Sequence, residues 1–220
     1  MTIYAICGAN RGIGLELSRQ ISERGDKVIA LCRQSSEELN KLNVEVLEGV
    51  DVGDRESVNR AAKQLSGRAI DVLVQVSGIL ISDDLYSIDE DVVSLSLEIN
   101  TLGPLRVIYE LLPNMHDRSK IFILSSRVGS LADNSSGGNY AYRISKTAVN
   151  MLGVNLSVDL KSKGISVILL HPGYVKTDMT QGSGLVEADE SAAGLIARMD
   201  ELGLEQTGTF WHMDGSQLPW

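Results

Sequence analysis

The chain has 220 residues, with 20 Lys and Arg against 29 Asp and Glu, for a formal net charge of -9 at pH 7. That length suits one well-buried domain. The acidic balance, with no run of like charge, argues against a nucleic acid or an anionic membrane as partner. No stretch approaches the roughly 18 apolar residues that span a bilayer. The start MTIYAICGAN lacks the charged-then-apolar order of a secretory signal, so a cytoplasmic location is expected. The two cysteines, Cys7 and Cys32, have no metal spacing and read as buried reduced thiols.

In chain order, short apolar runs bounded by turn residues alternate with helical patterns. Strands are predicted at IYAIC (3–7), KVIALC (27–32), VEVLEG (44–49), IDVLVQV (70–76), KIFILS (120–125), ISVILLH (165–171) and GTFWHM (208–213). Helices are predicted over 12–24, 55–66, 88–112, 140–163 and 188–202. This βαβ rhythm predicts an α/β fold: a doubly wound, mostly parallel seven-stranded sheet with helices on both faces, in a single domain spanning 1–220. Ligands of such sheets bind beyond the carboxyl ends of the strands, which directs attention to the residues just after each strand.

After the first strand, CGANRGIG (Cys7 to Gly14) brings Gly8, Asn10, Arg11, Gly12, Ile13 and Gly14 to a strand–turn–helix junction. Glycines there let backbone N–H groups approach a pyrophosphate that the helix N-terminus stabilises, as in a Rossmann-like dinucleotide site. An acid ending the second strand would accept the ribose hydroxyls, but Arg33 stands there instead. Arg33 and Arg11 together suit a 2′-phosphate, which favours NADP (NADPH) over NAD; each alone could be a solvated surface charge. In VDVGD, after the third strand, Asp51, with Val52 beside it, either meets the adenine amino group or caps the next helix, as Asp54 could.

Toward the C-terminal half the motifs become specific. Asn100 lies in LEINTLGPL, Ser126 in ILSSRVGS, Tyr142 and Lys146 in YRISK, and Pro172, Gly173, Val175 and Thr177 in HPGYVKT. With CGANRGIG, these resemble the short-chain dehydrogenase/reductase family over almost the full length, most closely the C-factor and Sniffer-type carbonyl reductase branch. The resemblance implies catalytic roles for Asn100, Ser126, Tyr142 and Lys146. It also implies that Val175 and Thr177 face the nicotinamide, and that Asn100 holds a water linking the lysine to solvent. Long helices over 88–112 and 140–163 often pair in this family, which implies a homodimer.

The chemistry asks for these residue types. Hydride transfer to a carbonyl carbon builds negative charge on oxygen, which must be stabilised and protonated. Tyr142 is the expected acid, and Lys146 one helical turn away is expected to lower its pKa. Opposite charges about 5 Å apart interact by roughly 3 kcal/mol at an effective dielectric near 20, or about two pKa units. Ser126 would hold the substrate oxygen; Ser125 points the other way by strand alternation, and Ser126 has Gly129 three residues on. Tyr140 has Ile144, not lysine, four residues later and reads as a packing or pocket residue. His116, His171 and His212 show no metal spacing, and no metal is assigned.

Two departures stand out. The family's Asn-Asn-Ala-Gly is here QVSG (Gln75 to Gly78), leaving Ser77 and Gly78 beside the cofactor, and Cys7 replaces the threonine that faces that segment. Apolar packing of Cys7 against the fourth strand is the expected compensation. The segment DMTQGSGLVEADES reads as a short mobile lid around 178–190 over a pocket open to several carbonyl compounds. The leading expectation is an NADPH-dependent oxidoreductase acting on a small carbonyl or alcohol substrate. The alternatives are a catalytically weak NADP-binding regulatory or signalling protein, and dehydration or epimerisation on the same fold.

Overall fold

The computed structural model describes residues 1–220. Seven strands, β1 (Ile3–Cys7), β2 (Lys27–Leu31), β3 (Glu45–Leu47), β4 (Val72–Gln75), β5 (Lys120–Leu124), β6 (Ser166–His171) and β7 (Phe210–His212), form one sheet in the order β3-β2-β1-β4-β5-β6-β7. Every strand pairing is parallel, so the sheet is wholly rather than mostly parallel. Parallel neighbours require crossovers, supplied by α1 (Gly12–Glu23), α3 (Arg55–Gln64), α5 (Gly103–Leu111), α6 (Tyr140–Lys161) and α7 (Ala188–Glu201), with the shorter α2 (Glu37–Asn40) and α4 (Glu90–Leu97). The order reverses between β1 and β4, so the carboxyl ends of these two strands open a crevice there.

Alternate strand residues feed two cores. Tyr4 and Ile6 pack with Leu17 and Ile21 of α1 and Leu195 and Met199 of α7. Ala5 and Cys7 face the other way, with Val58 of α3, Val107 and Ile108 of α5, and Val149 of α6. Burial on both faces explains why these strands read as continuous apolar runs rather than as alternation. No helix is long and apolar enough to cross a membrane.

The helix predicted over 88–112 is broken. Between α4 and α5 lies a π-helical turn, Glu98–Leu102, that carries Asn100 at its centre. Pro104 lacks the N–H that an α-helix would donate to the Asn100 carbonyl, which disrupts the ladder at this point. Gly103 lets this turn pack closely on Val52, since a Cβ there would lie 2.9 Å from it. Helix α2 was beyond prediction: four residues are too few to show a period, and it is held by Ser36, whose hydroxyl accepts from the Leu39 amide at 3.1 Å.

Candidate active site

A cleft of about 1060 Å³ runs along the carboxyl ends of the strands. At one end it is shaped by backbone. Gly8 has φ +90°, and a Cβ there would lie 2.8 Å from the Ser77 nitrogen; a Cβ on Gly14 would lie 2.0 Å from the Gly8 carbonyl oxygen. Helix α1 starts after Arg11, which supplies no side-chain cap, and its first turn holds no acid. Gly12 and Ile13 therefore present an uncapped helix N-terminus to the cleft, a geometry that fits the pyrophosphate of a dinucleotide.

Gly8, Asn10, Arg11, Gly12 and Ile13 all line this end, and so do Arg33, Asp51 and Val52. Arg33 is exposed at the rim, while Arg11 pairs with Asp178 at 3.3 Å, also in solvent. The capping question resolves onto Asp54, whose carboxylate accepts from the Glu56 amide at 2.9 Å at the start of α3. Asp51 instead accepts from Gly53 N–H at 2.9 Å and remains on the cleft wall.

Ser77, Gly78, Tyr142, Lys146, Pro172 and Thr177 line the rest. Gly14, Gly173 and Val175 do not reach the cleft surface, and their contribution is to shape. Gly14 lets α1 close on the loop, Gly173 turns the chain at φ +88°, and Val175 is buried, bridging to Val186. The Cys7 expectation needs correction. Its thiol does sit in the core, but it also meets the Ser77 hydroxyl at 3.4 Å, so the altered pair keeps a polar contact between β1 and the β4 loop. Gln75, by contrast, is buried with neither amide atom partnered.

The segment read as a lid is a compact turn closed by its own bonds. The Val175 carbonyl accepts from the Thr180 hydroxyl at 2.7 Å, the Tyr174 and Ser183 hydroxyls meet at 2.6 Å, and Lys176 N–H donates to Val186 at 2.9 Å. Residues 188–190 belong to α7 rather than to this turn.

At the other end side chains set the geometry. Ser126 follows β5, and Val128 N–H approaches its hydroxyl at 3.4 Å. Ser125 is the serine on the cleft lining, with its hydroxyl donating to Asn150 Oδ1 at 2.6 Å, whereas Ser126 and Asn100 lie behind the lining. Gly129 is required because a Cβ there would lie 2.8 Å from Lys146, so the loop after Ser126 packs directly on α6. Lys146 is buried, donates to the Leu124 carbonyl at 3.0 Å, and places Nζ 5.6 Å from the centre of the Tyr142 ring. Thus one period of α6 and one strand end bring Ser126, Tyr142 and Lys146 together.

Their electrostatics differ from the expectation. Burial pushes the Tyr142 phenol up to about 12, opposed by a hydrogen bond from Ser126, rather than the lysine pulling it down. Burial also draws the Lys146 ammonium down to about 8. The ammonium lies over the ring rather than against the hydroxyl, so it stabilises a phenolate less than a direct ion pair would. His171 is held neutral, its pKa lowered to about 3 by burial and by His212, whose ring centre is 5.0 Å away. No group of three or more His, Cys, Asp and Glu is arranged to hold a metal.

Asn100 is buried with both of its amide hydrogens engaged. Its amide donates to the Ile79 carbonyl at 2.9 Å and to the Ser145 hydroxyl at 2.9 Å, and its oxygen accepts from Ile79 N–H at 2.8 Å. Ser145 donates to the Tyr142 carbonyl at 2.8 Å, so a continuous chain links the β4 loop to the backbone of Tyr142. With both side-chain N–H groups engaged, a water held by this side chain would donate to Oδ1, which accepts only the Ile79 amide. Three contributors escaped sequence reading. Arg143 braces the loop after Ser126 by donating to the Val128 carbonyl at 3.1 Å and the Gly138 carbonyl at 2.9 Å, Asn150 positions Ser125, and Ile79 lines the cleft. Arginine at position 143 lay inside the Tyr-x-x-x-Lys motif, but nothing in its spacing showed what it reached.

The description "short chain dehydrogenase" matches residues 2–187. The chain is 43% identical over 226 residues to 1-hydroxy-2-glutathionyl-2-methyl-3-butene dehydrogenase of Rhodococcus sp. (strain AD45), covering 100% of both. It superposes on carbonyl reductase Sniffer of D. melanogaster with a TM-score of 0.91 at 28% identity, covering 100% of this chain and 99% of that one. The NADPH-bound carbonyl reductase from chicken fatty liver gives 0.90 at 28% identity, with 100% of each chain covered. The family match over residues 2–187, the 43% identity across the whole of a dehydrogenase relative and the full-length superposition on a carbonyl reductase establish that this chain belongs to the short-chain dehydrogenase family of oxidoreductases.

Proposed function

We propose that the chain is an NADPH-dependent reductase of aldehydes or ketones, reversible toward alcohol oxidation. The observation that carries this reading is the meeting of Tyr142 and Lys146, with Ser126 against the phenol just behind the wall, at one end of a cleft whose other end is an uncapped helix N-terminus flanked by Arg11 and Arg33. The reduced nicotinamide supplies the hydride. Ser126 would donate a hydrogen bond to the carbonyl oxygen, and Tyr142 would deliver the proton as charge develops there. A phenol with a pKa near 12 is fully protonated at neutral pH, as an acid must be. Lys146, still charged below about pH 8, would lower the cost of the phenolate left behind.

Arg11 and Arg33 are the residues for a 2′-phosphate, and the chicken relative is NADPH-bound. The Rhodococcus relative is named for a glutathionyl-bearing alcohol, so a glutathione-conjugated alcohol belongs in a substrate panel. The regulatory alternative drew on the changed QVSG segment. The Cys7–Ser77 contact removes much of that motive, because the altered residues still join the two strand ends.

The test is loss of NADPH absorbance with a carbonyl panel, and NADP reduction with the corresponding alcohols. Tyr142→Phe should lower kcat by about 10²- to 10⁴-fold with NADPH affinity retained. Tight NADPH binding without turnover of any panel member by the native chain would overturn the enzyme reading.

A further inference from the structure

The helix that carries Tyr142 starts without a cap of its own. Asn139, at its N-cap position, has a left-handed backbone (φ 48°, ψ 49°) and makes no side-chain cap bond. The two residues before it, Gly137 and Gly138, are also left-handed at φ 62° and 67°, and no atom lies within 4 Å of where their Cβ atoms would be. An approach of this kind leaves the first amides of α6 without a cap from the preceding segment, which is tied to the helix only through the Arg143 side chain, and Tyr142 is the third residue of the first turn.

The anchor comes from 58 residues away. Asp83, in the loop between β4 and α4, accepts from Ala141 N–H through Oδ2 at 2.9 Å, and its backbone carbonyl accepts from Asn139 N–H at 2.9 Å. Its other carboxylate oxygen, Oδ1, is buried with no partner. A carboxylate at a helix N-terminus is stabilised by the helix dipole, so the amides of α6 compensate for the missing second bond. The same loop is gripped at Ile79 by Asn100, whose chain through Ser145 ends on the Tyr142 carbonyl. Asp83 and Asn100 therefore hold the helix on the two sides of Tyr142.

We propose that Asp83 is a positioning residue for the reaction: by capping α6 from the β4–α4 loop, it sets the phenol of Tyr142 beside Ser126. This rests on the reading of Tyr142 as the proton donor. Nothing in it requires Asp83 to touch substrate or cofactor, and Asp83 is not among the residues lining the cleft.

Three chains are compared: native, Asp83→Ala, and Asp83→Asn, which keeps an acceptor oxygen. Amide hydrogen exchange of the peptide covering residues 139–146 should be about 5- to 10-fold faster in Asp83→Ala, while Asp83→Asn stays near native. With a carbonyl that the native chain reduces, Asp83→Ala should lose about 10- to 100-fold in kcat at unchanged NADPH affinity, and Asp83→Asn should stay within about threefold. A rise in KM with kcat unchanged, or equal exchange in all three chains, overturns the proposal. The exchange measurement needs no turnover, so a native chain that reduces nothing would sink the reductase reading, while the exchange rates alone would still decide whether Asp83 anchors this helix.

Discussion

At the nucleotide end of the cleft the shape is made by missing atoms, with Gly8 and Gly14 allowing backbone to meet backbone and Gly12 leaving room for the Thr177 side chain. At the reacting end it is made by polar side chains, with Asn100, Ser145, Asn150 and Arg143 each bonding to a different segment. The first kind of site fails when an atom is added, because close-packed backbone cannot move aside. The second fails when an acceptor or donor is removed, because a buried partner is then left unpaired. The two ends should therefore respond to opposite kinds of substitution.

The largest contrast is expected at Gly14. Its Cβ would lie 2.0 Å from the Gly8 carbonyl oxygen, a distance no local adjustment absorbs. Gly14→Ala should destabilise the chain by about 3 kcal/mol in urea unfolding and abolish NADPH binding in a fluorescence titration. A native-like titration would mean that α1 can slide along the sheet, and that the nucleotide end is more tolerant than its contacts imply.

Next is Lys146, whose burial can be read as a pH dependence. Its folded pKa of about 8 lies below the ordinary 10.5, so between those values the unfolded chain holds more protons than the folded one. Stability from this group should thus rise as pH increases from about 8 toward 10.5, by up to about 3 kcal/mol. Lys146→Met should be missing that rise when unfolding is followed from pH 7 to 10. The phenol of Tyr142 acts in the opposite sense, but only above pH 10, where its folded pKa near 12 exceeds the ordinary value. Parallel pH profiles for the two chains would mean that the ammonium is better solvated than its contacts suggest.

The smallest effect is expected where the two ends share a boundary. Ser77→Ala removes only the contact with the Cys7 thiol at 3.4 Å, and should cost under about 1 kcal/mol. The NADPH Kd should stay within about threefold of native, because Gly8 and Gly78, rather than the hydroxyl, shape the wall. A tenfold loss would show that Ser77 itself carries part of the cofactor site.

Much of this was legible in the residues. The apolar runs located all seven strands, most sharply the central ones, because a parallel strand buried on both faces must be apolar throughout, whereas the edge strands β3 and β7 are only partly buried. Tyr142 and Lys146 could be paired from their four-residue spacing, since a helix places i and i+4 on one face. Ser126 was separable from Ser125 by strand alternation, and Ser125 does turn to Asn150. The break at Asn100 was harder. Pro104 signalled a disturbance, but a π-helical turn and a side chain bonded to both Ile79 and Ser145 depend on which loop lies opposite. The burial that raises the Tyr142 pKa was hidden for a related reason: spacing shows a lysine nearby, but not how little water reaches the phenol or which part of the ring the ammonium faces.

The sequence by itself determined the βαβ order, the glycine turn after β1 and the pairing of Tyr142 with Lys146 on one helix face, because each depends on residues close in the chain or on a backbone period. The tertiary structure alone decided that Asn100 tethers the β4 loop, that Cys7 meets Ser77, and that Asp83 caps the helix of Tyr142 from 58 residues away. Those contacts join segments through the packing of the sheet, and a hydrogen bond a few ångströms long leaves no periodic trace in the chain that encodes it.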